Sequence, residues 1–168
     1  MNFINAGSLI KSLKLQVHPE GGYYRETYRS DEVMHEGDLP ERFTSSRCFS
    51  TAIYFLLENR DFSAFHRIRS DETWHFYAGS ALELYEITVS GKLKRTLIGS
   101  DLESGEQFQY TVPFGSWFAS RVKDGNGFAL LGCTVAPGFD FRDFELGDRH
   151  ALVNEFPEYS DLIRSLTR

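Results

Sequence analysis

The sequence predicts an all-β fold, closed into a sandwich or barrel, with a short helix at each end. Three observations carry this expectation. Eight to ten short β-rich runs follow one another with turn residues between them. The 168 residues include 15 Phe and 8 Tyr, and such aromatic content favours pleated, half-buried surfaces. Helical spacing of apolar residues shows only near the two ends. The length suits one domain, residues 1–168, with a sizeable core. Hydrophobic residues at 41% and charged residues at 25% match a soluble globular chain.

Taken in order, Asn5 is placed to cap a helix carrying Leu9, Ile10, Leu13 and Leu15 at roughly helical spacing. Pro19 and the pair Gly21-Gly22 end that pattern. Tyr23 to Tyr28 reads as a strand with Tyr23, Arg25 and Thr27 on one face and Tyr24, Glu26 and Tyr28 on the other. Residues 30 to 46 are polar, with Gly37 and Pro40. A loop that long reads either as a lid over a binding site or as a solvated excursion. Phe49 to Leu57, Asp61 to Ile68 and a run from about Glu72 to Gly79 follow as strands. Ser90-Gly91 marks a hairpin between Ala81–Val89 and Lys92–Ile98. Gln107 to Val112 alternates before Pro113-Phe114-Gly115. Asp124-Gly125-Asn126-Gly127 reads as a second hairpin, between Trp117–Val122 and Gly127–Val135. Phe139, Phe141 and Phe144 are placed to cover an open edge or end of the core. Pro157 to Leu166 reads as the last short helix.

Composition also excludes partners. The formal net charge is −6 with no stripe of Lys and Arg, so nucleic acid is not expected. No apolar run reaches the roughly 18 residues of a membrane span. The N-terminus lacks a charged region before an apolar stretch, so no signal peptide is expected. Cys48 and Cys133 lie in apolar runs with no C-x-x-C partner. They read as buried free thiols of a cytoplasmic protein, with a disulfide as the alternative.

The chemistry concentrates in Phe65 to Gly79, F-H-R-I-R-S-D-E-T-W-H-F-Y-A-G. On a strand, Glu72, Trp74 and Phe76 share one face, and Thr73, His75 and Tyr77 the other. A carboxylate alternating with large aromatics suits a pocket wall, because burying it unpaired costs several kcal/mol or raises its pKa. His66 then stands within hydrogen-bonding or metal-binding range. The other reading places Glu72 in water or against Arg67 or Arg69. His75 is aimed at the opposite face and joins the pocket only through a bulge.

These residues resemble a known superfamily, the cupins, whose fold is a double-stranded β-helix or jelly roll. The first cupin motif, G-x5-H-x-H-x3/4-E-x6-G, is matched by His66, Glu72 and Gly79. Ile68 replaces its second His and Arg60 its opening Gly. The second motif, G-x5-P-x-G-x2-H-x3-N, is matched by Pro113 and Gly115, with Phe118 in place of its His. Four phrases resemble the cupin type 5 family, DUF985: H-P-E-G-G-Y-Y-R-E-T-Y, S-D-E-T-W-H-F-Y-A-G, V-P-F-G-S-W-F-A and G-C-T-V-A-P-G-F-D-F. More distantly, Gly22-Tyr23-Tyr24-Arg25-Glu26 is similar to a strand of dTDP-4-dehydrorhamnose 3,5-epimerases. Those enzymes need no metal and use a His base and a Tyr acid.

The resemblance implies a pocket inside the barrel and a homodimer or higher assembly, and implies little about the substrate. The expected ligand is a small polar molecule derived from a sugar or nucleotide. In an isomerase of that kind His66 abstracts a proton beside Glu72, and Tyr24 or Tyr85 returns one. Arg25 or Arg67 holds an anionic group, and Trp74 and Trp117 stack on a ring. Arg25 and Glu26 are adjacent, so at most one reaches a given pocket. One His and one Glu at the motif positions leave a divalent ion weakly held at most, since catalytic sites usually keep three protein ligands. No cofactor is therefore expected. A non-catalytic binding barrel is the alternative, and a metal-dependent enzyme the third reading.

Overall fold

Alternating apolar residues build two antiparallel sheets that face each other across one core. The computed structural model describes residues 5–168, so the first four residues of the N-terminal reading lie outside it. The strands are β1 (Gln16–Val17), β2 (Tyr23–Arg29), β3 (Val33–Met34), β4 (Arg47–Cys48), β5 (Thr51–Glu58), β6 (Phe62–Arg67), β7 (Asp71–Gly79), β8 (Leu82–Ile87), β9 (Leu93–Ile98), β10 (Gln109–Val112), β11 (Trp117–Val122), β12 (Phe128–Ala136) and β13 (Glu145–Leu146). The helices are α1 (Ala6–Ser12), α2 (Arg149–Glu155) and α3 (Ser160–Ser165). One sheet runs β1-β2-β5-β12-β7-β10, and the other β13-β6-β11-β8-β9. The result is the expected jelly roll with short terminal helices.

Between the sheets lie Phe55, Trp74, Leu82, Leu84, Phe118 and Leu131, all nearly inaccessible. Two further clusters clothe the outer faces. Phe65, Tyr85, Ile87 and Trp117 point out of the second sheet and are covered by Leu152 of α2 and Ile163 of α3. Helix α1 packs Ala6 against Leu56 and Leu130 behind the first sheet. Asn5 caps it, accepting from the Ser8 N–H at 2.9 Å while Ser8 reaches back to the Asn5 N–H.

The structure corrects the sequence reading in four places. Asp124–Gly127 is not a hairpin, because β11 and β12 belong to different sheets and the chain crosses between them there. The C-terminal region holds two helices, α2 and α3, where one was expected. In β2, Glu26 faces Ile53 and Tyr28 faces Ala52, so Thr27 is an extra residue. That bulge reverses the strand's alternation, turning Tyr28 outward, 55% exposed, and Arg29 inward. Finally, the 30–46 segment is not wholly solvated: β3 within it pairs with β4 just beyond it, and Phe43 is buried.

Candidate functional site

An aromatic-walled hollow opens at the end of the barrel bounded by β1, β2, β5, β6, β7 and β12, and encloses about 360 Å³. That volume lies at the small end of the range for ligand sites, about 300–1,000 Å³. Phe55, Trp74, Phe139, Phe141 and Phe144 supply aromatic wall, and His18, Glu20, His66, Glu72 and Cys133 supply the polar groups.

Period two places His66 and Glu72. On β6, Ala64 and His66 face in, while Phe65 and Arg67 face out. On β7, Glu72 and Trp74 face in, and His75 faces out, where its Nε2 meets the Thr134 hydroxyl at 3.1 Å. The carbonyl of Ala64 only accepts, so the 2.7 Å contact from His66 Nδ1 fixes a proton on that nitrogen. His66 Nε2 lies 3.1 Å from Glu20 Oε2. A single proton between those two atoms makes the contact favourable, either as imidazolium and carboxylate or as imidazole and carboxylic acid. Burial pushes His66 down and Glu20 up, so desolvation opposes charge on both partners.

Glu20 is a residue that strand reasoning missed. It follows Pro19 and precedes Gly21 and Gly22, whose φ values are +117° and +72°. Only glycine adopts such backbone without strain, and a Cβ on Gly21 would collide with the Phe62 carbonyl. The turn swings Glu20 against β6, where its carbonyl accepts from Ala64 N–H at 2.9 Å and its Oε1 accepts from Ser63 Oγ at 2.7 Å. His18, also missed, accepts the Glu20 N–H on Nδ1 at 3.3 Å, so its own proton, when neutral, sits on Nε2. The signal for both was the phrase H-P-E-G-G, a histidine and a carboxylate two apart before paired glycines.

Burial pushes the Glu72 carboxyl up to about 7, with nearby His66 opposing and nearby Glu20 reinforcing the rise. Burial also raises the Cys133 thiol well above its usual range, so it is no thiolate at neutral pH. At the rim, Arg29 is bound to Glu26 at 2.6 Å and to the Phe139 carbonyl at 3.2 Å.

The structure thus brings together His66, Glu72, Trp74, Tyr24 and Glu26 of the expected site. It takes the other five elsewhere. Arg25 lies on the outer face of the first sheet, 5.7 Å from the Tyr54 ring centroid. His75 shares that outer side. Tyr85 and Trp117 sit under the C-terminal helices, and Arg67 lies over Trp117 while pairing with Glu145 at 2.7 Å. Glu72 therefore pairs with neither Arg67 nor Arg69.

The donors fit a transition metal poorly. Ile68 lines the pocket, and the Phe118 ring packs 4.1 Å from that of His66, so both motif positions present hydrocarbon. Among the described residues no three His, Cys, Asp or Glu are grouped to hold an ion.

Jelly-roll sheets with a buried His–Glu pair at the two motif positions define a cupin barrel. The chain belongs to the family described as Cupin superfamily (DUF985), whose model matches residues 7–147. It is 32% identical over 145 residues to the uncharacterized protein YML079W of Saccharomyces cerevisiae, covering 80% of this chain and 71% of that one. Protein SO0799 from Shewanella oneidensis has a crystal structure similar over 99% of both chains, with 40% identity and a TM-score of 0.89. A hypothetical protein from Leishmania major matches at 37% identity and a TM-score of 0.87, over 98% of this chain and 99% of its own. Oxalate decarboxylase from Bacillus subtilis shares the fold alone, at 13% identity and a TM-score of 0.55 over 36% of its length.

Proposed function

We propose that the barrel binds a small polar molecule, derived from a sugar or nucleotide, and moves a proton on it as a metal-independent isomerase or epimerase. The observation that carries this reading is the buried set His66, Glu20 and Glu72 facing one aromatic-walled hollow. Such a reaction needs a base on one side of a carbon beside a carbonyl and an acid on the other. Glu72, raised to about 7, is matched to proton transfer near neutral pH. His66 and Glu20 share one proton and can supply or accept another. Tyr24 is the tyrosine of the two expected acids that lines the hollow.

The test is solvent deuterium uptake at carbon across a panel of nucleotide sugars and sugar phosphates. Exchange is expected in the wild type and in His75→Ala, and lost in His66→Ala and Glu72→Gln. Binding without exchange would leave a non-catalytic barrel. Exchange that survives in both His66→Ala and Glu72→Gln would sink the assignment.

Self-association belongs to the same proposal. Among the described residues, β1 pairs with β2 only at Tyr23 and Tyr24, leaving the edge from Arg25 to Arg29 open for a second copy. Solution scattering that fits a monomer at all concentrations would remove it.

A further inference from the structure

A second hollow of about 370 Å³ lies beside the first, where residues 42, 67–69, 114–115 and 142–145 meet. Ile68 and Phe144 line both. Four arginines stand around it, Arg42, Arg67, Arg69 and Arg142, against two carboxylates, Asp143 and Glu145. In a chain of formal net charge −6, this is a local surplus of cations. Partners outside the groove do not cancel it. Asp140 holds Arg142 at 2.6 Å, but Arg47 takes Asp143, also at 2.6 Å. Asp71 at the rim accepts the Phe114 N–H at 2.9 Å.

Arg42 and Arg69 are the unspent pair. Arg67 is satisfied by Glu145, whereas Arg69 Nε reaches Asp143 only at 3.8 Å, and Arg42 has no carboxylate partner among the described residues. Each is instead held by the other's backbone. Arg42 Nε donates to the Arg69 carbonyl at 2.7 Å, and Arg69 Nη1 donates to the Arg42 carbonyl at 2.8 Å. The Arg42 guanidinium lies 3.9 Å above the Phe114 ring, which fixes its plane. Each guanidinium is thus tethered to the other residue's backbone, with N–H donors left over. Holding like charges together without a counter-ion is costly unless an anion joins them, and preorganised guanidinium forks suit oxyanions.

We infer that this groove binds the phosphoryl group of a small phosphorylated molecule. Arg42 and Arg69, the two guanidinium groups here without a close carboxylate, match a phosphate dianion, while a single carboxylate would leave one of them uncompensated. Tetrahedral oxygens also accept from forks arriving from different directions, and Arg42 and Arg69 come from separate segments of chain. The site stands whether or not the neighbouring pocket performs chemistry, and a probe with no carbon reads it alone.

The probe is inorganic pyrophosphate, titrated calorimetrically into the full chain at low and at physiological salt. Wild type is expected to bind, more weakly as salt rises. Arg69→Gln should weaken binding by about tenfold or more, the scale of one charge-assisted contact. Glu145→Gln should tighten it a few-fold, because it releases Arg67 and removes a negative charge. That gain cannot arise from misfolding. Lys94→Gln, at an exposed position on β9 outside the groove, should bind as wild type. No saturable binding at low salt, equal losses in Arg69→Gln and Lys94→Gln, or weaker binding in Glu145→Gln would each overturn the inference.

Discussion

Glu72 shows how one buried carboxyl ties stability to pH. Its pKa is raised from 4.5 to about 7 in the folded chain. Between those values the unfolded chain has released the proton and the folded chain keeps it. Stability therefore falls as pH rises from about 4.5 to about 7 and stays lower above. At roughly 1.4 kcal/mol per unit, the loss is on the order of 3 kcal/mol. Glu72→Gln removes this dependence, so its stability relative to wild type should climb from about pH 4.5 to about pH 7 and level off above, read by urea denaturation. His66, pushed down by burial, works with the opposite sign: the unfolded chain takes up its proton first, and stability falls as pH drops below 6.5. Comparing variant with wild type at each pH separates the two. A difference that stays flat with pH would show that Glu72 is not held neutral.

Among the elements, the segment between β2 and β5 is tied to the rest of the fold through Arg47. Arg47 of β4 grips Asp143 through two bonds of 2.6 Å, both side chains almost fully buried. This pair ties the β3–β4 hairpin to the turn that carries Phe144 into the pocket wall. Asp143→Ala leaves a guanidinium buried without its counter-charge, and should cost about 3–5 kcal/mol. The double variant Arg47→Met, Asp143→Leu should recover much of that loss, because it removes both charges together. Chemical denaturation of the three proteins checks this. An Asp143→Ala chain as stable as wild type would mean that the hairpin is held by other contacts.

In the molecule as a whole, the two main sheets meet through side chains, and Phe118 stands near the centre of that contact. Its ring lies 4.1 Å from the His66 ring and 6.4 Å, edge-on, from Trp74. Phe118→Ala should destabilise the fold by about 3–5 kcal/mol, the usual cost of a large aromatic removed from a packed core. A melting temperature within a degree or two of wild type would contradict the packing described.

The longer strands, β2 and β5 to β12, and the shared inward face of Glu72 and Trp74 could be read directly from the amino acids, whereas the two-residue strands β1, β3, β4 and β13 could not. Alternation has a period of two, and a run such as Glu72-Thr73-Trp74-His75 carries it without reference to anything distant. His75 was aimed away from the pocket by the same rule, and lies there. The remaining features depend on contacts far apart in the chain. Glu20 reaches Ser63 across 43 residues, and no local pattern says where a glycine turn will fold back to. Arg29 enters the rim only because Thr27 is surplus to its partner strand. Tyr85 and Trp117 obey alternation, but alternation does not say which side of a sheet becomes pocket and which is covered by helices. That choice rests on the packing of α2 and α3 against the second sheet, which buries one set of aromatics and leaves the opposite face to the hollow.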